Sequence, residues 1–185
     1  VVSQLRALIG ELRPPGLEDL GLNAALRGYV AGLERELAGS GPSIVLDLQA
    51  DDRSIPQRMA LCLFRVAQES LRNALRHAQA TRVELSLTLY GGYVGLRVID
   101  DGRGFAVPGR LSEMAARNHY GLMSMSERVA QVGGLLDIRS APGAGTEVRV
   151  QVALGEEATR YEPQDPDPVG GRSPVGEGRD QRDPV

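Results

Sequence analysis

Two runs in the middle of the chain alternate between apolar and polar residues, and two glycines join them. In 82–90, Val83, Leu85, Leu87 and Leu89 alternate with Glu84, Ser86 and Thr88; in 93–100, Val94, Leu96 and Val98 repeat the pattern. A period of two puts the apolar set on one face of a strand, and Gly91-Gly92 suits a two-residue hairpin turn with positive φ. Residues 146–153 alternate likewise, Val148, Val150 and Val152 against Glu147, Arg149 and Gln151, and 43–49 place Ile44, Leu46 and Leu48 on one face. A further strand is predicted over 135–139. Strands apolar on one face only need helices on that face and water on the other. The expected fold is therefore α/β, a two-layer sandwich with a mixed sheet and helices on one face. A doubly wound domain, whose strands are apolar throughout, is disfavoured.

Helical spacing accounts for the remaining apolar residues. Leu5, Leu8, Ile9 and Leu12 predict a helix over 3–13, stopped by Pro14-Pro15. A second is predicted over 18–37, ending in the turn-forming Gly39-Ser40-Gly41-Pro42. A long helix should follow Pro56 and reach about Ala78. Its core face is Leu63, Ala67, Leu71, Ala74 and Leu75, and its solvent face is Arg65, Gln68, Arg72 and Arg76. Residues 106–120 read as irregular, with one helical turn around 111–117, before a helix over 122–132 capped by Gly133.

Composition narrows the function. Residues 156–185 hold five of the 11 prolines, eight acids against four arginines, and no Leu, Ile, Phe or Met, the pattern of a disordered acidic tail. Residues 1–155 hold 17 arginines and 16 acids, so the folded part offers no basic field for nucleic acid or an anionic membrane. Every basic residue apart from His77 and His119 is Arg, which excludes a lysine Schiff base and a Walker-type phosphate loop. Cys62, the one cysteine, sits in an apolar run as a buried thiol, and neither a disulfide nor a cysteine metal cluster is available. No stretch approaches the roughly 18 apolar residues of a membrane helix, and no signal peptide is visible. The chain opens inside a helical pattern, as a piece of a longer protein would.

Four features carry chemistry. Glu69, Asn73 and His77 are spaced by four and stack along one side of the long helix, either as a cleft wall or as its polar margin. Asp100-Asp101-Gly102-Arg103-Gly104-Phe105 follows a strand directly. A carboxylate there accepts from an amino group such as adenine's, and the glycines let backbone approach a flat ligand; a plain Asp/Gly turn reads the same way. His119-Tyr120-Gly121-Leu122 opens a helix whose free N–H groups suit phosphate, or simply begin a helix. Ser140-Ala-Pro-Gly-Ala-Gly145-Thr146 precedes the last strand as a glycine turn with a hydroxyl that could donate to phosphate.

In this order the four resemble the catalytic, ATP-binding domain of bacterial sensor histidine kinases, within the GHKL ATPase superfamily and its Bergerat fold. FRVAQESLRNALRHAQA (64–80) is similar to the N box, VIDDGRGF (98–105) to the first glycine box, and HYGLMSMSERV (119–129) with GGLLDIRSAPGAGTEV (133–148) to the second glycine region. The wording resembles the nitrate-sensor-like (NarX-type) subfamily, in which LRPPGL (12–17) and GLNAAL (21–26) match an element ending the dimerisation helix pair. The resemblance spans about 3–154. It implies a division into a dimerisation-helix end and linker (1–38), an ATP-binding domain (39–155) and the tail (156–185).

The resemblance also implies roles. Asn73 would ligate Mg²⁺ bridging the ATP phosphates, and Glu69 would sit near the metal-bound water or act as a polarising base. Arg76 and His77 would approach the phosphates, Arg76 standing where the family often has Lys. Asp100 would accept from the adenine amino group, with Gly102, Gly104 and Phe105 around the base. Residues 106–120 would form an ATP lid ending at Tyr120. Gly121 and Leu122 would begin the phosphate-facing helix, and Gly145 and Thr146 would complete the pocket. The family's acceptor histidine, on the first dimerisation helix, has no counterpart, because His77 falls in the N box and His119 in the lid. The expected activity is γ-phosphoryl transfer to a histidine outside this chain, with a histidine-containing dimerisation domain and a response regulator as partners. The parent would be a homodimer, and this part cytoplasmic, whether or not the parent is membrane-bound. The alternatives are a GHKL serine kinase of the anti-sigma type and a non-catalytic nucleotide-binding regulator.

Overall fold

A computed structural model of the chain describes residues 14, 16–50, 52–107 and 120–155. The expected helix at 3–13, the turn at 111–117, His119 and the tail lie outside these residues. The elements are α1 (Leu17–Leu37), β1 (Ser43–Leu48), a 3₁₀ turn (Asp52–Ser54), α2 (Gln57–Asn73) and a π turn (Ala74–Ala78). They continue with β2 (Arg82–Tyr90), β3 (Tyr93–Asp100), α3 (Tyr120–Gln131), β4 (Leu135–Ser140) and β5 (Thr146–Ala153).

The five strands form one sheet in the order β1-β2-β3-β5-β4, with β1 parallel to β2 and the other pairs antiparallel. Tyr90 pairs with Tyr93 across Gly91 (φ 53) and Gly92 (φ 80), the two-residue hairpin expected from the sequence. Val83, Leu85, Leu87, Val94, Leu96, Val98, Val148, Val150 and Val152 all enter one core together with the buried stripes of α1, α2 and α3. Fully burying one such side chain contributes about 1.5–3 kcal/mol. The other face is wet. There the Glu147 carboxylate accepts from both Arg97 and Arg149, and Arg139–Asp137 and Arg82–Glu84 are exposed pairs that contribute little.

α1 carries a kink at Gly21 (φ 85, ψ 176), where the helical path restarts. The Asp52 carboxylate accepts from the Asn23 amide at 2.6 Å, capping the restarted helix from another segment, while the Asn23 side chain donates to the Ala50 carbonyl at 2.7 Å. Leu22, Ala25, Leu26 and Val30 face the core, and Tyr29 packs edge-on against Phe64 (centroids 5.8 Å apart). This packing corrects the reading of α2. Gln68, expected in solvent, is 9% exposed because α1 covers that side, and its side-chain oxygen accepts from Arg65 at 2.7 Å. Leu75, expected in the core, is only partly buried, because the π turn takes it off the α-helical stripe. Among the described residues no helix is long and apolar enough to cross a membrane.

Candidate functional site

Asp100, the last residue of β3, pairs with Thr146, the first of β5, in the middle of the sheet. The end of α2 and the start of α3 lie over this pair and leave a cavity of about 370 Å³. Of the residues expected at the site, Asn73, His77, Asp100, Gly104, Phe105, Gly121, Leu122 and Thr146 line it. Glu69, Arg76, Gly102, Tyr120 and Gly145 do not appear among its lining residues. Arg76 is exposed, and Tyr120, at the first position of α3, is 63% exposed. Ser70, Ala78, Val98, Arg103, Met125 and Val148 line it as well. Val98 and Val148 were legible as the inward neighbours, two residues along, of Asp100 and Thr146; nothing in the sequence singled out Ser70.

The two adjacent aspartates have separate tasks, because successive residues of an extended strand point to opposite sides. Asp100 points inward and is 8% exposed. Burial raises its carboxyl above the usual carboxylate range, opposed by hydrogen bonds from the Gly102 amide (2.9 Å) and from Thr146. Asp101 points outward and accepts from the Thr81 amide (2.8 Å), the Thr81 hydroxyl (2.5 Å) and the Arg82 amide (2.9 Å), tying the end of β3 to the start of β2. Those bonds hold its carboxyl below the usual range.

The helix carrying the N-box residues reaches Ala78 as expected, but through a π turn that begins right after Asn73. Such turns bond i to i+5, so His77 no longer stacks on Asn73 at α-helical spacing. Both still face the cavity. The turn ends at Gln79 in the left-handed region (φ 54), and the Ala78 carbonyl accepts from the Arg103 amide at 2.8 Å.

Three of the glycines expected at the site fit closely against other parts of the chain. A Cβ on Gly102 would run into Ala78, one on Gly104 into the Ala141 carbonyl, and one on Gly145 into the Asp100 carbonyl. Their missing side chains make room for protein backbone, so that the loops after β3 and before β5 pack on each other. The Gly143 amide also donates to the Arg103 carbonyl at 2.6 Å. A Cβ on Gly121 would meet the Glu69 carboxylate, which therefore lies against the start of α3. Cys62 is buried with its Sγ 3.4 Å from the Arg128 carbonyl, and burial pushes the thiol up to about 11, which leaves it unreactive.

Among the described residues no cluster of three or more His, Cys, Asp or Glu could hold a metal ion. A cation here would take one or two protein oxygens and complete its shell with phosphate and water, the habit of Mg²⁺. The Asn73 side chain fits that requirement.

Residues 60–156 match the family described as Histidine kinase-, DNA gyrase B-, and HSP90-like ATPase. The chain is 34% identical over 154 residues to the sensor protein VraS of Staphylococcus haemolyticus, and 33% identical over 154 residues to that of Staphylococcus saprophyticus. These alignments cover 83% of the chain but 41% and 42% of the relatives, so it spans about two-fifths of the curated proteins it matches. Among solved structures, the histidine kinase domain of the Erythrobacter litoralis EL346 blue-light activated kinase superposes with a TM-score of 0.59 at 23% identity, covering 75% of this chain and 63% of that one. The Acinetobacter baumannii histidine kinase AdeS gives 0.54 at 18%, covering 84% and 81%. The fold is that of histidine kinase ATPase domains, and the chain belongs to the histidine kinase-, DNA gyrase B- and HSP90-like ATPase family.

Proposed function

We propose that this chain is the ATP-binding catalytic part of a bacterial sensor histidine kinase, and that it transfers the ATP γ-phosphate to a histidine on a dimerisation domain. The observation that carries the proposal is one cavity with Asn73 and His77 on its helical wall and the Asp100–Thr146 pair on its sheet wall. Asp100 accepts from the adenine amino group. Asn73 holds Mg²⁺ through its amide oxygen, and the bound ion would neutralise phosphate charge. His77 reaches the phosphates from the π turn, Arg76 adds charge at the rim, and Gly121, Leu122 and Tyr120 begin the helix whose amides face phosphate. Glu69, beside that helix start, polarises the attacking group. Transfer breaks the bond from the γ-phosphorus to the bridging oxygen, forms one to a ring nitrogen of the acceptor, and leaves ADP.

Residues 39–155 serve as the ATP-binding unit in this reading, with 1–38 joining them to the dimerisation helices. LRPPGL, GLNAAL and GLMSMSER support a nitrate-sensor-like subtype. The parent would be a homodimer that passes the phosphoryl group to a response regulator, with this part on the cytoplasmic side. The test is incubation with γ-labelled ATP and Mg²⁺, with and without a separate dimerisation domain carrying the acceptor histidine. Acid-labile, base-stable label should appear on the supplied domain and not on this chain. Label on a serine of a partner would favour the anti-sigma class instead. Nucleotide binding without any transfer would favour a regulator.

A further inference from the structure

The folded part is close to neutral, but its charge is unevenly placed. Residues 57–78, which form α2 and the π turn, carry four arginines against one glutamate. Arg58, Arg65 and Arg72 recur every seven residues, so they follow one side of α2, each about 20° round from the last. Arg76 stands exposed in the π turn beyond them, between the cavity-lining Asn73 and His77. Arg58 donates to the Gln131 carbonyl (3.4 Å), Arg65 to the Gln68 side chain, and Arg72 to the Tyr29 hydroxyl. Those partners are neutral, and among the described residues Arg58, Arg72 and Arg76 join no ion pair with a carboxylate. The flanking carboxylates are Glu69 at the start of α3, Glu36 of α1 and Glu127 of α3. Leu61, 37% exposed, adds a large apolar side chain to the same side of the helix.

The opposite charge follows β5. Residues 156–167 hold Glu156, Glu157, Glu162, Asp165 and Asp167 against Arg160, with Tyr161 among them. The chain leaves β5 beside the start of the arginine row: Arg58 reaches the end of α3 at Gln131, and a Cβ on Gly134 would run into Val152, just before Gly155. From Arg58 to Arg76 the helix rises roughly 27 Å at 1.5 Å per residue. A proline-bearing run as long as 156–167, extended at about 3.1 Å per residue, reaches about 37 Å. We propose that the acidic segment 156–167 seats along the arginine row of α2 and, at its Arg76 end, competes with nucleotide phosphate for the mouth of the cavity. The competition rests on the nucleotide-binding reading, and the docking does not. Surface ion pairs are individually weak, but the tether makes the contact intramolecular, at an effective concentration of about a millimolar.

The test is paramagnetic broadening in the full chain, with a nitroxide on the thiol of Gln164→Cys. Cys62 is buried, so the label goes to position 164 alone. At low salt the amide signals of residues 57–78 should broaden, while those of the wet face of the sheet, around Ser86 and Arg97, should not. Salt at about 1 M, where the Debye length is about 3 Å, should remove the broadening. Replacing the five carboxylates by Gln and Asn should remove it too. Absent broadening, broadening centred elsewhere, broadening that survives both treatments, or broadening between separate copies would overturn the docking. Calorimetry at low salt then compares ATP binding, with Mg²⁺, by the full chain and by its five-carboxylate variant. A row occupied half the time weakens ATP about twofold, so the variant should bind ATP tighter by at least about that factor. Equal affinities would overturn the competition. If neither binds ATP, the nucleotide reading fails, and the broadening still decides where the segment sits.

Discussion

Gly143 and Gly145 lie two residues apart in the loop before β5, both with left-handed backbone (φ 81 and 69), yet their surroundings differ. A Cβ on Gly143 meets nothing within 4 Å, whereas one on Gly145 runs into the Asp100 carbonyl oxygen. Replacing each by Ala separates backbone strain from collision. Gly143→Ala should cost only the left-handed penalty, about 1–2 kcal/mol. Gly145→Ala carries the same penalty plus an overpacking cost of about 1–3 kcal/mol. That obstruction is backbone, held by the pairing of Asp100 with Thr146, and cannot swing away as a side chain would. At about 2–4 °C per kcal/mol for a chain of this size, Gly145→Ala should melt roughly 2–12 °C below Gly143→Ala. Circular dichroism melts of the two variants measure the difference, and calorimetry with ATP measures its consequence. Parting β3 from β5 at this point moves Asp100, so Gly145→Ala should weaken ATP while Gly143→Ala leaves it near wild type. Equal melting temperatures with equal ATP affinities would refute the idea that the two loops are packed through glycine contacts.

Asn73→Ala should abolish most of the Mg²⁺ dependence of ATP binding while leaving metal-free affinity close to wild type; calorimetry with and without Mg²⁺ tests this, and unchanged metal linkage would remove Asn73 from the metal site. Asp100→Asn should narrow the preference for ATP over GTP and change the pH profile of stability. The folded-state pKa of Asp100 is raised, chiefly by burial, so between the ordinary value of about 3.9 and the raised value the folded chain binds more protons than the unfolded one. Wild type should therefore lose stability relative to Asp100→Asn as pH rises through that window, and show a constant difference above it. Melts across the acid range would contradict this if wild type gained relative stability with rising pH.

Much of the architecture is readable along the chain. The alternation in 82–90, 93–100 and 146–153 predicts the strands at the bounds the structure shows, because a half-wet sheet leaves a period-two record in each strand. Gly91-Gly92 likewise marks its own turn. Gln68 and Leu75 were misplaced for one kind of reason: a helical wheel shows which residues share a face but not what later covers it. The arrival of α1 buried Gln68, and the π turn after Asn73 rotated Leu75 out of the stripe.

The site divides in the same way. Residue types and spacings along the chain left Asn73, Asp100, Gly121 and Thr146 open to a plain structural reading, and the family resemblance made them candidates for the site. The contacts among those groups are long-range and leave no periodicity. Asp100 and Thr146 are 46 residues apart and meet only through the β3–β5 register. The glycines were legible as places that need room, but only the folded chain shows that backbone fills the room at Gly102, Gly104 and Gly145. Ser140 reads as an ordinary turn residue until Phe105, Gly145 and Thr146 close around its hydroxyl. Local pattern determined the strands, the hairpin and the chemical groups of the site. Which groups touch was decided by strand register and loop packing, which no local stretch of sequence contains.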